Sequence, residues 1–367
     1  MRLNHSYYKP FYDFSFSEYT VSLISFSWIG NRIVLRPVHL AFVFVLLAFL
    51  TNSTGLKGQQ LPYYSQYRMN EYLYNPATAG VDGYTTASLL AREQWVGFDH
   101  APKTHALAFN TRILPNSFIF KGLQVLRKHG WASRDSRIGL GGYIYNDRSG
   151  LLDRTGIQLT YAYHIRLSDS QLSFGLSANF YQFKVYTDNN HIILADDAAT
   201  DALITGSKRN LYIPDVNFGA YFMNAQYFAG FSATDLSQSA LKISKFDNSG
   251  FKSIRHYILV GGYKFRVNKK LIIEPNTIIK ISERGSVQVD LGAKADFVEG
   301  YWAGLTYRTP NSIIAMGGVK VDKFYFGYAF DICLSQIQKF SYGTHELMIS
   351  MKFGGNARKF RWLNDFK

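Results

Sequence analysis

Hydrophobic and polar residues alternate along most of the chain from residue 84 onward. In the stretch 154–167 the apolar side chains occupy one parity and the polar side chains the other. The apolar residues are Ile157, Leu159, Tyr161, Tyr163, Ile165 and Leu167, and the polar ones are Gln158, Thr160, His164 and Arg166. Because successive side chains of a β-strand point to opposite faces, this pattern predicts a strand with one apolar and one polar face.

The polar faces carry charges, and these charges distinguish between two kinds of all-β protein. In the stretch 286–297, Asp290, Lys294 and Asp296 share a face with Gln288, opposite a row of apolar residues. Charges of both signs do not suit the dry core of a β-sandwich. They suit the lumen of a transmembrane barrel whose outer surface meets lipid.

The repeated alternation predicts fourteen strands. We place them at 84–95, 103–114, 137–147, 154–168, 170–186, 212–223, 226–236, 253–267, 271–282, 285–297, 300–308, 311–321, 324–333 and 342–353. Many connections are short and contain turn residues, as in Thr309-Pro310-Asn311. The predicted fold is therefore all-β: an up-and-down antiparallel transmembrane barrel of the outer-membrane type over 84–353.

Connection lengths predict the orientation of this barrel. Outer-membrane barrels have short periplasmic turns and longer outer loops. If the N-terminus is periplasmic, the long connections at 187–211 and 237–252 face outward, as does 146–153. The exception is a long basic insert at 115–136 on the periplasmic side. We expect an integral outer-membrane protein with both termini in the periplasm.

Composition supports this class. Aromatic residues make up 16% of the chain and charged residues 18%, a mixture typical of barrels with aromatic girdles at both membrane interfaces. A mean hydropathy of −0.11 excludes a bundle of transmembrane helices, each of which needs about 20 apolar residues.

The regions outside the barrel differ in character. Leu40–Leu50 is an uncharged apolar run that follows Arg32 and Arg36, which predicts a signal peptide over 31–58, with a short membrane anchor as the alternative. Residues 1–30 form an unexplained N-terminal extension, and 354–367 form a basic C-terminal tail. The tyrosine-rich stretch 59–83 is expected to pack inside the barrel as a plug or against its periplasmic rim.

Charge and cysteine content limit the kinds of partner and ligand that this chain is expected to bind. Without residues 1–58 the chain has 35 basic and 24 acidic residues, a net charge of +11. The basic residues are scattered, so contacts with anionic lipid or acidic partners are favoured over nucleic acid. Cys333 is the only cysteine, which rules out an internal disulfide and a cysteine-based metal site. We expect no cofactor and no metal.

Several residues could be interpreted as catalytic, phosphate-binding or metal-binding groups. For each of them we favour a purely structural role. His164, Ser173 and Asn179 could be drawn into the triad of a barrel lipase, but nothing in the sequence sets their geometry. Gly139-x-Gly141-Gly142 superficially suggests a phosphate loop, but it lies in a predicted strand with no helix after it, which favours a barrel kink. The carboxylates Asp196, Asp197 and Asp201 lack the spacing of a calcium loop. His105, His164, His256 and His345 lie on different strands without metal-ligand spacing.

The connection from Gln94 to Lys103 carries exposed aromatic residues. Trp95 and Phe98 lie beside Gly97 and Asp99. Exposed aromatic residues indicate either membrane-interface anchoring or a loop that closes the barrel mouth or contacts a partner.

Two N-terminal motifs resemble a known family. They are Gln66-Tyr67-x-Met69-Asn70 with Tyr74-Asn75-Pro76-Ala77-x-Ala79-Gly80, and Arg92-x-Gln94-Trp95-Val96-Gly97-Phe98 with Ala101-Pro102-Lys103-Thr104. Further matches are Tyr307-Arg308-Thr309, Phe326-Gly327-Tyr328-x-Phe330-Asp331 and Ser341-x-Gly343-x-His345-Glu346. Together they resemble the PorP/SprF family of type IX secretion system membrane proteins of Bacteroidota, over about 59–353.

The resemblance implies a non-enzymatic outer-membrane barrel that serves secretion and gliding motility. Implied partners are outer-membrane lipid, a cognate large adhesin with a type B C-terminal signal, and periplasmic ring or lipoprotein components of the machine. The candidate plug or partner-binding residues are Gln66, Asn70, Tyr74, Asn75, Pro76, Arg92, Gln94, Trp95, Gly97, Phe98, Pro102 and Lys103. The alternative functions are a porin or transporter for small or hydrophobic solutes and a barrel lipase.

Overall fold

The computed structural model describes residues 64–113, 137–150, 152–185, 211–237, 240–241 and 251–353. The predicted signal peptide, the extension 1–30, the tail 354–367, the insert 115–136 and the aspartates of the 187–211 connection lie outside these residues. No helix in the described part of the chain is long and apolar enough to cross a membrane. The described residues include three short 3-10 turns, at Glu71–Leu73, Pro76–Thr78 and Gln336–Phe340.

Fourteen long strands form one sheet. In chain order, β1 to β14 are Thr85–Glu93, Lys103–Arg112, Ile138–Ser149, Leu152–Arg166, Ser170–Val185, Leu211–Asn224, Tyr227–Thr234, His256–Tyr263, Leu271–Ser282, Val287–Phe297, Tyr301–Arg308, Ser312–Val321, Phe324–Cys333 and Thr344–Phe353. A two-residue strand, Phe265–Arg266, pairs with β9 just after β8. A separate short hairpin joins Ala240–Leu241 to Phe251–Lys252.

The sheet closes on itself. Each long strand pairs antiparallel with the next along the chain, and β14 pairs with β1, where Arg92 lies opposite Glu346. Closure leaves no unpaired edge between the first and last strands. The predicted fold, a fourteen-stranded up-and-down antiparallel barrel, is confirmed.

The two faces of the strands differ as the alternation predicts. On the outer face, Leu159 is 57% exposed and Leu305 is 60% exposed. On the inner face, Gln158 is 2% exposed and His164 is fully buried. An apolar outer surface around a polar, filled interior is the arrangement that a lipid bilayer requires of a barrel.

The two ends of the barrel carry different connections. At one end, called the long-loop end here, the strands are joined by 94–102, 150–151, 186–210, 235–255, 283–286, 309–311 and 334–343. At the other, called the short-turn end, they are joined by 113–137, 167–169, 225–226, 264–270, 298–300 and 322–323. Apart from 113–137, the connections at the short-turn end are brief.

Most strand boundaries differ from the predicted ones by a few residues, and three of these differences have a clear local reason. β1 ends at Glu93 because the chain turns at Trp95, which has a positive φ of 47°. β14 begins at Thr344, after the 3-10 turn and Gly343, which has a φ of 90°. The eighth strand is interrupted at Lys264, whose N–H donates to the Gln226 carbonyl.

Candidate functional site

Residues 64–83, called the inner segment here, pass through the lumen from one end of the barrel to the other. Tyr64 contacts Arg308, the last residue of β11 at the long-loop end. Asp82 contacts Lys352, near the end of β14 at the short-turn end, at 2.8 Å. Between them the side chains of Gln66, Tyr72 and others are buried. The segment therefore occupies the space that a pore would need.

The inner segment is held at the seam where the barrel closes. The carboxylate of Glu346 on β14 accepts hydrogen bonds from the N–H groups of Ser65 at 2.7 Å and Gln66 at 2.8 Å. Arg92 on β1 donates to Ser65 Oγ at 2.6 Å and to Glu346 at 3.1 Å. Charged partners make these bonds stronger than neutral ones. One carboxylate thus links the inner segment, the first strand and the last strand.

This seam continues into a buried ion cluster formed by Arg92, Asp290, Arg308, Asp331 and Glu346. Asp331 accepts from Arg92 at 3.2 Å and from Arg308 at 3.1 Å. Arg308 also pairs with Asp290 at 3.0 Å and donates to the Tyr64 carbonyl at 3.2 Å. A buried cluster of this kind is stabilising only when its members are paired, because the desolvation of an unpaired charge is costly.

A tyrosine connects this cluster to the turn of the inner segment. Tyr74 donates from its hydroxyl to the Tyr64 carbonyl at 2.9 Å and accepts from the Tyr64 N–H at 2.7 Å. These two bonds tie the Tyr74 side chain to the main chain of Tyr64. Lys280 on β9 also reaches the Tyr74 hydroxyl, at 3.4 Å.

A second ion pair fixes the middle of the inner segment. Arg68 binds Glu274 on β9 with two hydrogen bonds of 2.5 and 2.9 Å. The guanidinium also lies over the Phe228 ring, 3.8 Å from its centroid, which adds a cation–π contact. Tyr67 donates to the side-chain oxygen of Asn276 at 2.5 Å.

The Asn-Pro-Ala turn lies in a groove lined by glycines of the wall. Asn75 donates to the carbonyls of Ala220 at 3.0 Å and Phe231 at 3.2 Å. A Cβ atom on Gly175 would overlap main-chain atoms of Pro76 and Ala77, and one on Gly219 would overlap the Asn75 amide oxygen. Only glycine lets the two backbones approach this closely.

The glycines Gly139 and Gly141 serve the same purpose. A Cβ on Gly139 would overlap the Ala79 carbonyl oxygen, and one on Gly141 would lie 2.6 Å from the Tyr72 ring. The sequence favours a barrel kink for this Gly-rich stretch, and in the structure the stretch makes room for the inner segment.

The residues considered for a lipase triad do not come together as one. His164 Nδ1 lies 2.8 Å from Ser173 Oγ, but its Nε2 lies 3.0 Å from the Ala79 carbonyl oxygen. Asn179 exchanges hydrogen bonds with Tyr145 rather than His164. His164 and Ser173 are fully buried in the wall. His164 thus holds the inner segment through Ala79, and Ser173 contacts His164.

A small cavity remains beside the inner segment. It has a volume of about 50 Å³ and lies between Tyr64 and Tyr74 on one side and Arg154 and Asp235 on the other. Such a space holds a few water molecules and no larger solute. Among the described residues, no cluster of three or more metal-ligating side chains is present.

The connection 94–102 packs against the connection before β14. The Val96 N–H donates to the Gly343 carbonyl at 2.9 Å, and the Tyr342 N–H donates to the Val96 carbonyl at 2.8 Å. The Trp95 N–H donates to Thr344 Oγ1 at 3.2 Å. These bonds hold the two connections together on the long-loop end, where Phe98 is 40% exposed and Tyr342 is 79% exposed.

The structure separates the twelve candidate residues into two groups. The residues inside the barrel are Gln66, Asn70, Tyr74, Asn75, Pro76 and Arg92, all buried. The residues on the long-loop end are Gln94, Trp95, Gly97, Phe98, Pro102 and Lys103. Lys103 is exposed and pairs with Glu93 at 3.0 Å. Their assignment to plugging or partner binding stays a prediction.

The candidate set missed the acidic partners of the inner segment. Glu346, Asp331 and Asp290 hold it through Arg92, Arg308 and the main chain. All three lie on the polar parity of their strands, and Asp331 and Glu346 end two of the C-terminal motifs. The available signal was the presence of acidic residues and arginines together on lumen-facing positions, with Asp290 opposite Arg308 and Glu346 opposite Arg92.

A closed barrel with an apolar outer surface and an internal segment defines an integral membrane barrel of the outer-membrane type. The family model described as type IX secretion system membrane protein PorP/SprF matches residues 56–351. The chain belongs to this PorP/SprF family, which confirms the resemblance seen in its motifs. No curated protein matches the chain.

The solved structures that match this chain do so at low sequence identity. Acinetobacter baumannii Omp33 matches with 7% identity and a TM-score of 0.40, covering 75% of this chain and 100% of its own. The Ralstonia pickettii toluene transporter TbuX has 12% identity, a TM-score of 0.42 and coverages of 77% and 92%. A deletion mutant of the monoaromatic hydrocarbon channel TodX has 10% identity, a TM-score of 0.41 and coverages of 78% and 94%. Likeness at this level carries no inference about function.

Proposed function

We propose that this protein is a non-enzymatic, non-conducting docking barrel of the type IX secretion and gliding machinery. Its outer surface anchors in outer-membrane lipid. The long-loop end faces the cell exterior and holds a cognate large adhesin with a type B C-terminal signal. The short-turn end faces the periplasm and meets ring or lipoprotein components of the machine.

The observation that carries this proposal is the filled lumen. A diffusion pore needs a continuous wet passage, whereas here the inner segment is fixed by paired charges at the seam and by the glycine groove. A barrel stiffened in this way suits a platform for other proteins. Membership of the PorP/SprF family is the reason for assigning this platform to the type IX secretion machinery.

Co-purification tests the docking function directly. The tagged protein is extracted from its native outer membrane in mild detergent, and the proteins that accompany it are identified by mass spectrometry. We expect a stoichiometric large surface protein or periplasmic machine component. A barrel that purifies alone under conditions that preserve other outer-membrane complexes would contradict the proposal.

Conductance tests the porin alternative on the same preparation. In planar bilayers, the docking barrel is expected to show no steady conductance above that of the bare membrane. A steady conductance, large enough for a channel that passes small solutes, would favour the porin or transporter function instead.

Trp95→Ala is expected to leave the barrel folded but to weaken retention of the outer partner. Trp95 is half-buried at the junction of the two connections on the long-loop end, so its loss loosens the surface that they present. The readouts are the heat-modifiable gel shift and the amount of co-purified partner. Tyr227→Ala, an exposed aromatic at the short-turn end, is the matched control. Unchanged retention in Trp95→Ala would remove this connection from the docking surface.

A further inference from the structure

Basic side chains are concentrated on one part of the short-turn end. The exposed members are Arg266, Lys269, Lys270, Lys320 and Lys323, and Lys264 is half-buried beside them. They lie on the connection that follows β8, at the end of β12 and on the turn after β12. We call these six residues the basic rim. The acidic residues exposed on these turns and on the turn between them are Glu299 and Asp322.

Part of the basic rim faces the aqueous mouth of the lumen, not the surrounding lipid. Arg266 pairs across the sheet with Ile272, which shares a face with the buried Glu274. Lys320 pairs with Tyr325, and its ammonium lies 5.3 Å from the centroid of that ring. Cross-strand partners lie on the same face of a sheet. Arg266 and Lys320 therefore point into the mouth.

The outward face at the same level has the opposite character. Phe265, Val267, Phe297, Val319 and Phe324 are exposed there and form an apolar band. Aromatic residues at this position contact the membrane interface. The apolar side chains therefore contact lipid, and the cations at the mouth of the lumen face the aqueous compartment.

The acidic groups near the rim are already engaged by other partners. Asp82 pairs with Lys352 at 2.8 Å, Asp296 with Lys294 at 2.6 Å, and Glu274 with Arg68 at 2.5 Å. Glu299 pairs with Lys270 at 3.6 Å, which offsets one rim charge. The six cations of the basic rim therefore outnumber the two exposed acidic residues on these turns, Glu299 and Asp322. A surface of one sign favours a partner of the other sign and speeds its encounter.

From these observations we propose that the basic rim is a docking surface for an acidic protein segment, rich in Asp and Glu, that approaches the short-turn end of the barrel. The inference rests on the proposed docking function and names the chemistry of its partner on this side. The rim recognises charge without a deep pocket, so binding is fast and weakened by salt.

The test uses the purified full chain in nanodiscs of zwitterionic phosphatidylcholine and a fluorescent peptide of repeating Glu and Ser as the probe. The rim variant is Lys269→Glu, Lys320→Glu and Lys323→Glu combined. The matched control is Arg148→Glu, Arg284→Glu and Lys339→Glu, three exposed cations of the long-loop end. We expect the rim variant to bind the peptide about tenfold more weakly, since each exposed charge contact contributes a fraction of a kcal/mol. The control is expected to bind like the unmodified protein.

Two outcomes of the peptide experiment overturn the inference. One is equal peptide binding by the rim variant and the unmodified barrel, when both are folded by the heat-modifiable gel shift. The other is that the unmodified barrel does not bind the peptide, while the rim variant loses phosphatidylglycerol that co-purifies with the unmodified barrel, which would assign the rim to lipid. If periplasmic partners co-purify equally with the rim variant, the rim inference fails while the docking function stands. If the unmodified barrel retains no partner, the docking function itself fails.

Discussion

Replacing Glu346 with alanine is expected to lower the free energy of unfolding of the barrel by about 3–5 kcal/mol, the usual cost of breaking a buried ion pair from one side. The substitution removes the acceptor of the Ser65 and Gln66 N–H groups and one carboxylate partner of Arg92. Each N–H left buried without an acceptor costs about 1–3 kcal/mol. The inner segment and the β1–β14 seam are weakened together because the same side chain holds both.

The effect is measured by urea unfolding in lipid vesicles, followed by tryptophan fluorescence, and by the temperature of the heat-modifiable gel shift. Glu93→Ala is the matched control, because Glu93 is a neighbouring carboxylate whose pair with Lys103 is exposed. An exposed pair contributes about 0–1 kcal/mol. Equal stabilities for the two variants would show that the seam does not depend on Glu346.

The fold was predictable because its signal is repeated. Each strand carries its own period-two alternation, and a barrel with one lipid-facing side tolerates few interruptions of it. The residues in 154–167 were assigned to the correct faces, with Leu159 outward and His164 inward. The boundaries near Trp95, Lys264 and Gly343 were less predictable, because turn geometry and contacts between connections decide where pairing stops.

The inner segment was only partly predictable. An excess of tyrosines and turn residues in 59–83 indicated packing against the barrel, but not which wall residues would receive it. Those contacts join residues far apart in sequence, such as Ser65 with Glu346 and Arg68 with Glu274. Alternation identifies the face on which Glu346 lies. It does not identify the partner, because that depends on how far each strand is shifted against the next.

The role of the glycines in the barrel wall was also not predictable from the sequence alone. In a single sequence, a strand glycine indicates a bend, a bulge or a close backbone approach with similar weight. Gly139 and Gly175 are distinguished only when Ala79 and Ala77 are seen to lie against them. The inner segment and these glycines therefore form one feature of the molecule, in which each explains the other.

This close approach makes a second strong prediction. Gly175→Ala is expected to expel the Asn-Pro-Ala turn from its groove, because the added Cβ would overlap main-chain atoms of Pro76 and Ala77. Main-chain atoms cannot rotate away as a side chain can, so the overlap must be relieved by moving the segment. Overpacking of this kind costs about 1–3 kcal/mol, and occasionally more. Gly261→Ala is the matched control, since its nearest neighbour is the Phe228 carbonyl oxygen at 3.7 Å.

Cysteine labelling reports the displacement. With Cys333→Ser as background, Thr78→Cys places a thiol at a position that is 4% exposed inside the barrel. A membrane-impermeant maleimide is expected to label this thiol slowly in the background protein and in Gly261→Ala, and quickly in Gly175→Ala. Gly219→Ala is expected to be intermediate, because its shortest overlap is with the Asn75 amide oxygen, which can rotate, and its contact with Pro76 Cδ is longer, at 2.9 Å. A folded Gly175→Ala barrel that keeps the thiol protected would mean that the wall, and not the inner segment, gives way at this contact.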